Sequence, residues 1–269
     1  MWTREDLKSN AKAILRVTYW ETFAGYLIMI AISFAGGMMV SFMPWLSGLG
    51  SIALNIFVTL PLSVGMSFFL LQNRLAPPVI RNLFVPFESG YYWKVVGATA
   101  WMYLFIFLWS LILLPGLIIL FTAIFSSTLP YTMMYGDLYS TGWSLSAGYG
   151  GFLAVSILLM IAGYIVVIIK SLSYSMTPYI LADNPSIGYD RALKLSIAMT
   201  YGHKWNMFVL GLSFLGWLLL GTLALGIGTL FVMPYVQATY AELYVRLRDN
   251  AVRYGLCTPA ELNLYMPGA

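Results

Sequence analysis

The sequence predicts an all-α fold: a polytopic membrane helical bundle of about six transmembrane helices, in three hairpins, with cytoplasmic amphipathic helices. Hydrophobic residues make up 60% of the chain and charged residues only 9%, whereas soluble domains have roughly 45–50% and about 25%. So few charged side chains cannot cover a water-soluble surface. Most apolar residues also fall in runs long enough to cross a bilayer as helices. Together these observations predict a single membrane domain over residues 1–269.

Residues 1–17 are predicted to form an interfacial amphipathic helix on the cytoplasmic leaflet. Thr3 and Asp6 have the spacing of a capping box, so the helix should begin near residue 4. The next apolar run, 20–43, is long enough to span a membrane, which argues against a cleavable signal peptide. The predicted helix combines an apolar stripe with basic residues, namely Leu7, Ala11, Ile14 and Leu15 with Arg4, Lys8, Lys12 and Arg16.

The first four spans are joined by a short turn, 44–50, and by two longer loops of opposite character. The loop 72–94 carries basic residues and is predicted to face the cytoplasm, whereas the loop 126–151 has none. Pro61 lies inside the second span, and Pro115 with Gly116 predicts a kink or turn in the third. The predicted spans are 20–43, 51–71, 95–125 and 152–169.

The last third of the chain predicts a second amphipathic stretch and two more spans. Within residues 184–204, Asp190 stands four residues before Lys194, the spacing of an ion pair on a helix surface. A turn at Gly226 then separates the spans, which are predicted at 206–224 and 229–244.

Residues 245–269 are predicted to form a cytoplasmic tail, and Glu242, at the end of the last span, is expected to pair with Arg246 at the interface. Gly255 is placed as a helix C-cap, and Thr258 and Glu261 have capping-box spacing around the start of a final short helix.

The basic residues predict the orientation of the chain. All 14 Lys and Arg residues lie within four segments, 4–16, 74–94, 170–204 and 246–253. Because cytoplasmic segments carry an excess of Lys and Arg, the pattern predicts both termini in the cytoplasm. This assumes that Lys170 lies at the inner side of the membrane.

A possible internal repeat leaves the position of Lys170 open. Pro61, Pro178 and Pro234 each lie in the returning helix of a hairpin, which suggests three hairpins built on one plan. The alternative is that such short matches arise by chance between apolar helices. If the repeat is real, Lys170 lies near the outer end of its helix, so both positions remain open.

The sequence contains no catalytic motif, and it predicts no catalytic residue, no metal site and no cofactor. With a single Cys257 and a single His203, the chain cannot form an intramolecular disulfide or a Cys/His zinc site of its own. The basic residues form no single patch of the kind that binds nucleic acid, so no nucleic-acid partner is expected.

The best candidate site is a polar block between the fourth span and the second amphipathic stretch. Its hydroxyl groups, beside a proline that frees a backbone carbonyl, could line a hydrated or lipid-headgroup pocket. The alternative is packing, because Ser and Thr also form hydrogen bonds between membrane helices without a ligand. The candidate residues of this polar cleft are Lys170, Ser173, Tyr174, Thr177 and Asp183.

Several motifs resemble the bacterial membrane proteins catalogued as domain of unknown function 975. They include Tyr174 to Pro185 (YSMTPYILADNP), Ala192 to Ser196 (ALKLS), Gly202 to Trp205 (GHKW) and Leu212 to Trp217 (LSFLGW). The resemblance implies a bacterial membrane location but no residue roles. Many members pass quickly from a Pro-Gly motif to the helix that contains the lysine, whereas this chain has residues 117–169 between them.

Taken together, the sequence predicts a non-enzymatic protein of the bacterial cytoplasmic membrane. Its expected partners are membrane lipids, and also a hydrophobic peptide or another membrane protein. The alternative function is a small transporter or export accessory protein, suggested by the prolines in the spans. A third alternative, an enzyme that acts on lipid through Asp183 or Asp190, lacks an accompanying metal cluster or activated nucleophile.

Overall fold

The computed structural model describes residues 2–42, 47–88, 90–135, 147–224 and 226–264. Within these ranges the chain forms helices and turns and contains no β-strand, which confirms the all-α class. The chain divides into two compact units. We call residues 1–102 with 172–269 the main unit, and residues 103–171 the hairpin unit.

Helix α1 (Arg4–Ser41) begins where the sequence predicts. The hydroxyl of Thr3 accepts a hydrogen bond from the backbone N–H of Asp6 at 3.1 Å, which satisfies a donor at the helix start. The amphipathic segment and the first span form one 38-residue helix, broken at Thr18 by non-helical backbone angles (φ −114°, ψ 15°). The predicted division between residues 1–17 and 20–43 therefore appears as a kink within one helix.

The second predicted span consists of three consecutive helical segments. These are α2 (Ser47–Leu54), the π-helical segment Asn55–Thr59, and α3 (Leu60–Gln72). Glycines let the segments approach α1: a Cβ atom on Gly50 would lie 2.9 Å from a methyl carbon of Val40. Pro61 lies in the first turn of α3, where its missing N–H costs least.

The predicted loop 72–94 folds back onto α3. It contains the 3₁₀ helix Ile80–Phe84 and the short α4 (Val85–Glu88), which both contact α3. The approach depends on Gly65, because a Cβ atom there would overlap the carbonyl oxygen of Leu83.

The third predicted span divides at the place that Pro115 indicates. Helix α5 (Tyr92–Ser110) is followed by the 3₁₀ turn Leu111–Leu113 and then by α6 (Leu114–Tyr135). Helix α7 (Ala147–Tyr174) forms the fourth predicted span.

The prediction of a loop over 126–151 is wrong at both ends, because α6 continues to Tyr135 and α7 already begins at Ala147. Continuing the helices satisfies backbone polar groups that a loop at an apolar surface would leave unpaired. Residues 136–146 of that loop lie outside the described residues. Within the hairpin unit, α6 and α7 pack closely: a Cβ atom on Gly116 would lie 3.2 Å from the carbonyl oxygen of Ser156.

The last part of the main unit contains α8 (Thr177–Asp183), α9 (Tyr189–Thr200), α10 (Lys204–Leu223) and α11 (Ile227–Arg253). Helix α9 carries the predicted ion pair between Asp190 and Lys194, at 2.6 Å. The predicted turn is present, with Gly226 in the left-handed conformation (φ 77°). Beyond α11, Gly255 also has a positive φ, as a C-cap glycine requires.

Five helices of the described residues are long and apolar enough to cross a membrane. They are Arg4–Ser41, Gly48–Gln72, Tyr92–Phe125, Gly150–Asp183 and Lys204–Leu223. The sixth predicted span, 229–244, forms the first part of the longer α11, which is not among these five helices. It stays a prediction.

The N-terminal helix is anchored in the core of the main unit. Leu7 and Ala11 are fully buried, and α1 packs mainly on α11. The ammonium group of Lys8 lies 4.7 Å above the ring of Phe214 on α10. The apolar stripe predicted from the sequence thus packs against other helices, and the placement of this helix on the cytoplasmic leaflet stays a prediction.

Candidate functional site

The polar block predicted from the sequence surrounds the break between α7 and α8. The hydroxyl of Ser196 on α9 donates a hydrogen bond to the carbonyl oxygen of Ser173 at 2.8 Å. The same hydroxyl accepts one from the backbone N–H of Met176 at 3.2 Å. Pro178 cannot donate a backbone hydrogen bond, so a side chain from a neighbouring helix stabilises this break.

Three of the predicted cleft residues, Ser173, Tyr174 and Thr177, are buried inside the main unit. The hydroxyl of Thr177 has no hydrogen-bond partner within the described residues. Their burial and the hydrogen bonds of the break favour interhelical packing for this part of the block. A role for these residues in ligand binding remains a prediction.

Asp183 ends α8 and forms the centre of a partly buried polar cluster. Its carboxylate accepts hydrogen bonds from the hydroxyl of Tyr244 at 2.6 Å and from a guanidinium nitrogen of Arg248 at 3.0 Å. The ring of Tyr179 stacks on that of Tyr244, with centroids 5.3 Å apart. Both partners of Asp183 come from α11, so this cluster joins the motif around Pro178 to the last long helix.

A second set of contacts holds the C-terminal tail against the same region. Arg191 on α9 forms an ion pair with Glu261 at 2.6 Å. This hydrogen bond with Arg191 lowers the pKa of the Glu261 carboxyl group. The side-chain amide of Asn184 donates to the Glu261 carbonyl at 2.9 Å, and that of Asn263 donates to the Asp183 carbonyl at 3.0 Å. The tail therefore closes over the connection between α8 and α9.

Lys170, the remaining predicted cleft residue, belongs to the hairpin unit. Its ammonium group lies 4.0 Å from the ring centroid of Trp109, a cation–π contact within that unit. The structure therefore assigns Lys170 a contact that the sequence does not predict.

Glu242 pairs with a different arginine from the one that the sequence suggests. Sequence proximity predicts a pair with Arg246, but Glu242 forms its ion pair with Arg74, at the end of α3. These partners are 168 residues apart in sequence. Glu242 is 2% exposed and Arg74 is 24% exposed, so the pair is largely withdrawn from solvent.

Sequence reasoning identified Asp183 and Glu242 but missed their partners Arg74, Tyr244 and Arg248. One signal was available, because a charged residue at the end of an apolar run marks a candidate polar site. Its partner was not predictable, because the pairing depends on how distant helices pack.

The ion pairs of this region join α8 to α11 and α9 to the tail. The carboxylates of Asp183 and Glu261 each have an arginine partner. Within the described ranges, no group of three His, Cys, Asp or Glu residues is arranged to hold a metal ion. His203 lies beside Trp2, with ring centroids 6.0 Å apart, and burial lowers the pKa of its imidazole.

The fold and these clusters define a helical membrane protein in which buried polar contacts stabilise the break between α7 and α8. The family described as "Protein of unknown function (DUF975)" matches residues 1–251, and the chain belongs to that family. The match confirms the resemblance seen in the sequence motifs. No curated protein and no solved structure gives a significant match.

Proposed function

We propose that this protein is a non-enzymatic, multi-pass protein of the bacterial cytoplasmic membrane that binds lipid. A hydrophobic peptide or a second membrane protein is the other kind of ligand that the same surface would accept. The observation that carries this proposal is the apolar exposed surface of the hairpin unit.

Large hydrophobic side chains dominate that surface. In an apolar stretch of 18 residues within Tyr92–Phe125, only 6% of the residues are buried. In the corresponding stretch within Gly150–Asp183, 11% of the residues are buried. Asp137 is the one charged residue between Lys94 and Lys170. Exposed side chains of the unit include Phe107, Ile118, Phe121, Leu158 and Ile165.

Exposure of such an apolar surface to water is unfavourable. Each large apolar side chain left in water forgoes about 1.5–3 kcal/mol relative to an apolar environment. Lipid acyl chains cover these side chains without needing any matching polar group, which supports lipid as the ligand. The basic segments 4–16, 74–94, 170–204 and 246–253 support a cytoplasmic position for both termini.

Native mass spectrometry of the protein released from nanodiscs of mixed lipid composition tests lipid binding. We expect a stoichiometric lipid adduct beyond the bulk lipid of the disc. A bare monomer from every lipid mixture would contradict lipid binding. A monomer that carries only another protein would favour a membrane partner.

A triple variant tests whether the polar block, and not only the apolar exterior surface, binds the lipid. Ser173→Ala, Tyr174→Phe and Thr177→Val together remove hydroxyl groups while keeping side-chain shape. If the block binds the lipid headgroup, the adduct is lost while the buried Cys257 thiol stays protected from modification. Unchanged adduct retention would exclude the block as the lipid site.

A second candidate function is that of a small transporter or export accessory protein. It is favoured by the breaks in three apolar helices, at the π-helical segment Asn55–Thr59, at the 3₁₀ turn Leu111–Leu113, and between α7 and α8. Broken helices line substrate sites in many transporters. Solute flux in proteoliposomes that is lost in Lys170→Gln would support this function, and no flux under any gradient would count against it.

A further inference from the structure

Helices α10 and α11 form a hairpin without charge, and α1 has a charged half and an uncharged half. Between Lys204 and Glu242 the chain has no charged residue. The charged residues of α1 all lie within 4–21, and residues 22–41 have none. At 1.5 Å per residue the uncharged half is about 30 Å long, which is the thickness of the hydrocarbon core of a bilayer. Residues 22–41 therefore mark the membrane layer within the main unit.

Helix α10 runs beside the charged half of α1 and in the same direction. The ring of His203, just before α10, lies beside that of Trp2, with centroids 6.0 Å apart. Further along both helices, the ammonium group of Lys8 lies 4.7 Å from the ring centroid of Phe214. The first half of α10 is thus level with the most highly charged part of α1.

Helix α11 returns along α1 in the opposite direction. The ammonium group of Lys12 lies 5.6 Å from the ring centroid of Tyr235. The hydroxyl of Tyr19 donates a hydrogen bond to the carbonyl oxygen of Phe231 at 3.1 Å. The rings of Phe23 and Phe231 stack with centroids 5.0 Å apart. The start of α11 is therefore level with the start of the uncharged half of α1.

This register limits how far the hairpin can enter the membrane layer. Helix α11 begins at Ile227, only four residues before Phe231. At 1.5 Å per residue, the turn between α10 and α11 lies about 8 Å inside the layer of residues 22–41. A complete crossing needs about 30 Å. A depth of about 5–10 Å is instead typical of helices that insert into one leaflet.

The surface near the turn is apolar, and its polar groups bond within the chain. The backbone N–H of Gly226 donates to the carbonyl oxygen of Thr222 at 3.0 Å. The hydroxyl of Thr222 donates to the carbonyl oxygen of Leu218 at 2.9 Å. Such internal pairing is what a hydrocarbon environment requires. The exposed large side chains nearest the turn are Trp217, Leu219, Leu220, Leu223 and Ile227.

We propose that the α10–α11 hairpin is a membrane-insertion surface that enters one leaflet and turns back without crossing. The acyl chains of that leaflet cover its exposed apolar side chains. The hairpin enters from the side on which the charged half of α1 lies, so its turn stays on that side of the bilayer centre. Although α10 is long enough to cross a membrane, its register with α1 prevents a crossing. The proposal rests on the membrane location proposed above.

Depth measurements with nitroxide spin labels test this insertion in the full-length protein in nanodiscs. Single cysteines are introduced and labelled in a Cys257→Ala background. Oxygen concentrates at the bilayer centre and a water-soluble nickel chelate stays in water, so the ratio of their relaxation effects rises with depth. We expect this ratio to rise along α10 and to be several-fold higher at its end than at its start. The labelled positions are exposed: Trp205→Cys, Leu212→Cys and Leu223→Cys.

Two results along α10 would overturn the proposal. A crossing helix would give the highest ratio at Leu212 and a low ratio at Leu223. A ratio as low as that of water at all three positions would show that no acyl chain covers the hairpin.

Helix α1 supplies the matched control, with labels at the exposed residues Trp20, Ala31 and Phe42. Because its uncharged half has the length of a crossing, the ratio should rise to Ala31 and fall again at Phe42. A low ratio at Ala31 would refute the membrane location itself. A normal profile on α1 with either contrary profile on α10 would refute only the insertion of the hairpin.

Discussion

Replacing Arg74 by Met should destabilise the protein more than replacing Glu242 by Gln, although each change breaks the same ion pair. Glu242 is 2% exposed and Arg74 is 24% exposed. Without Arg74, the carboxylate of Glu242 is left charged, buried and unpaired, which costs about 3–5 kcal/mol. Without the Glu242 charge, the guanidinium of Arg74 can still turn toward solvent. The loss is then closer to that of one charged hydrogen bond, about 1.5–3 kcal/mol.

These free energies correspond to measurable shifts in melting temperature. At about 2–4 °C per kcal/mol for a chain of this size, Arg74→Met should lower the midpoint by about 6–20 °C and Glu242→Gln by about 3–12 °C. Far-ultraviolet circular dichroism in nanodiscs measures the midpoint. Reactivity of the Cys257 thiol is a second probe, because burial raises its pKa and slows its reaction in the folded state.

The double variant Arg74→Met with Glu242→Leu separates the buried charge from the lost contact. Because neither charge remains, its stability should exceed that of Arg74→Met alone. Equal losses for the two single variants would refute the argument from unequal burial. A double variant no more stable than Arg74→Met would show that packing, and not an unpaired carboxylate, sets the cost.

Three further results are expected. Gly65→Ala should cost about 1–3 kcal/mol by thermal melting, because its Cβ atom would overlap the Leu83 carbonyl oxygen; an unchanged midpoint would contradict this packing. Tyr244→Phe should cost about 1.5–3 kcal/mol through loss of its hydrogen bond to Asp183, with no loss expected if that bond is absent. The lowered pKa of Glu261 means that its ion pair stabilises the tail above the ordinary pKa of 4.5, and that this contribution is lost as pH falls through the folded value. Proteolysis of the tail should therefore increase as pH falls. This increase should be smaller in Glu261→Gln, because that variant lacks the titrating carboxyl group.

Features that depend on neighbouring residues were predictable from the sequence. The Thr3 cap, the Asp190–Lys194 pair and the turn at Gly226 each involve residues within four positions of one another, or one residue with special backbone freedom. The helical class was also predictable, because apolar helices satisfy their own backbone groups in a membrane.

Errors arose where an element or a contact depends on packing. The helices around the predicted loop 126–151 extend further than polar composition suggests, because composition does not determine where a helix stops. The predicted partner of Glu242 was wrong for a related reason: Arg246 is near Glu242 in sequence, but Arg74 is near it in space.

The candidate site shows the same division. The sequence alone indicated that the motif ending at Asp183 is unusually polar for its position beside an apolar helix. It did not indicate that Tyr244 and Arg248, 61 and 65 residues later, would bind its carboxylate.

By itself, the sequence determined that this protein is a helical membrane protein and where most of its apolar helices lie, because hydrophobicity and capping act over a few residues. Only the tertiary structure decided which charged side chains meet and that α1 packs on α11. The physical reason is that these contacts join residues far apart in the chain, so they form only when whole helices pack together.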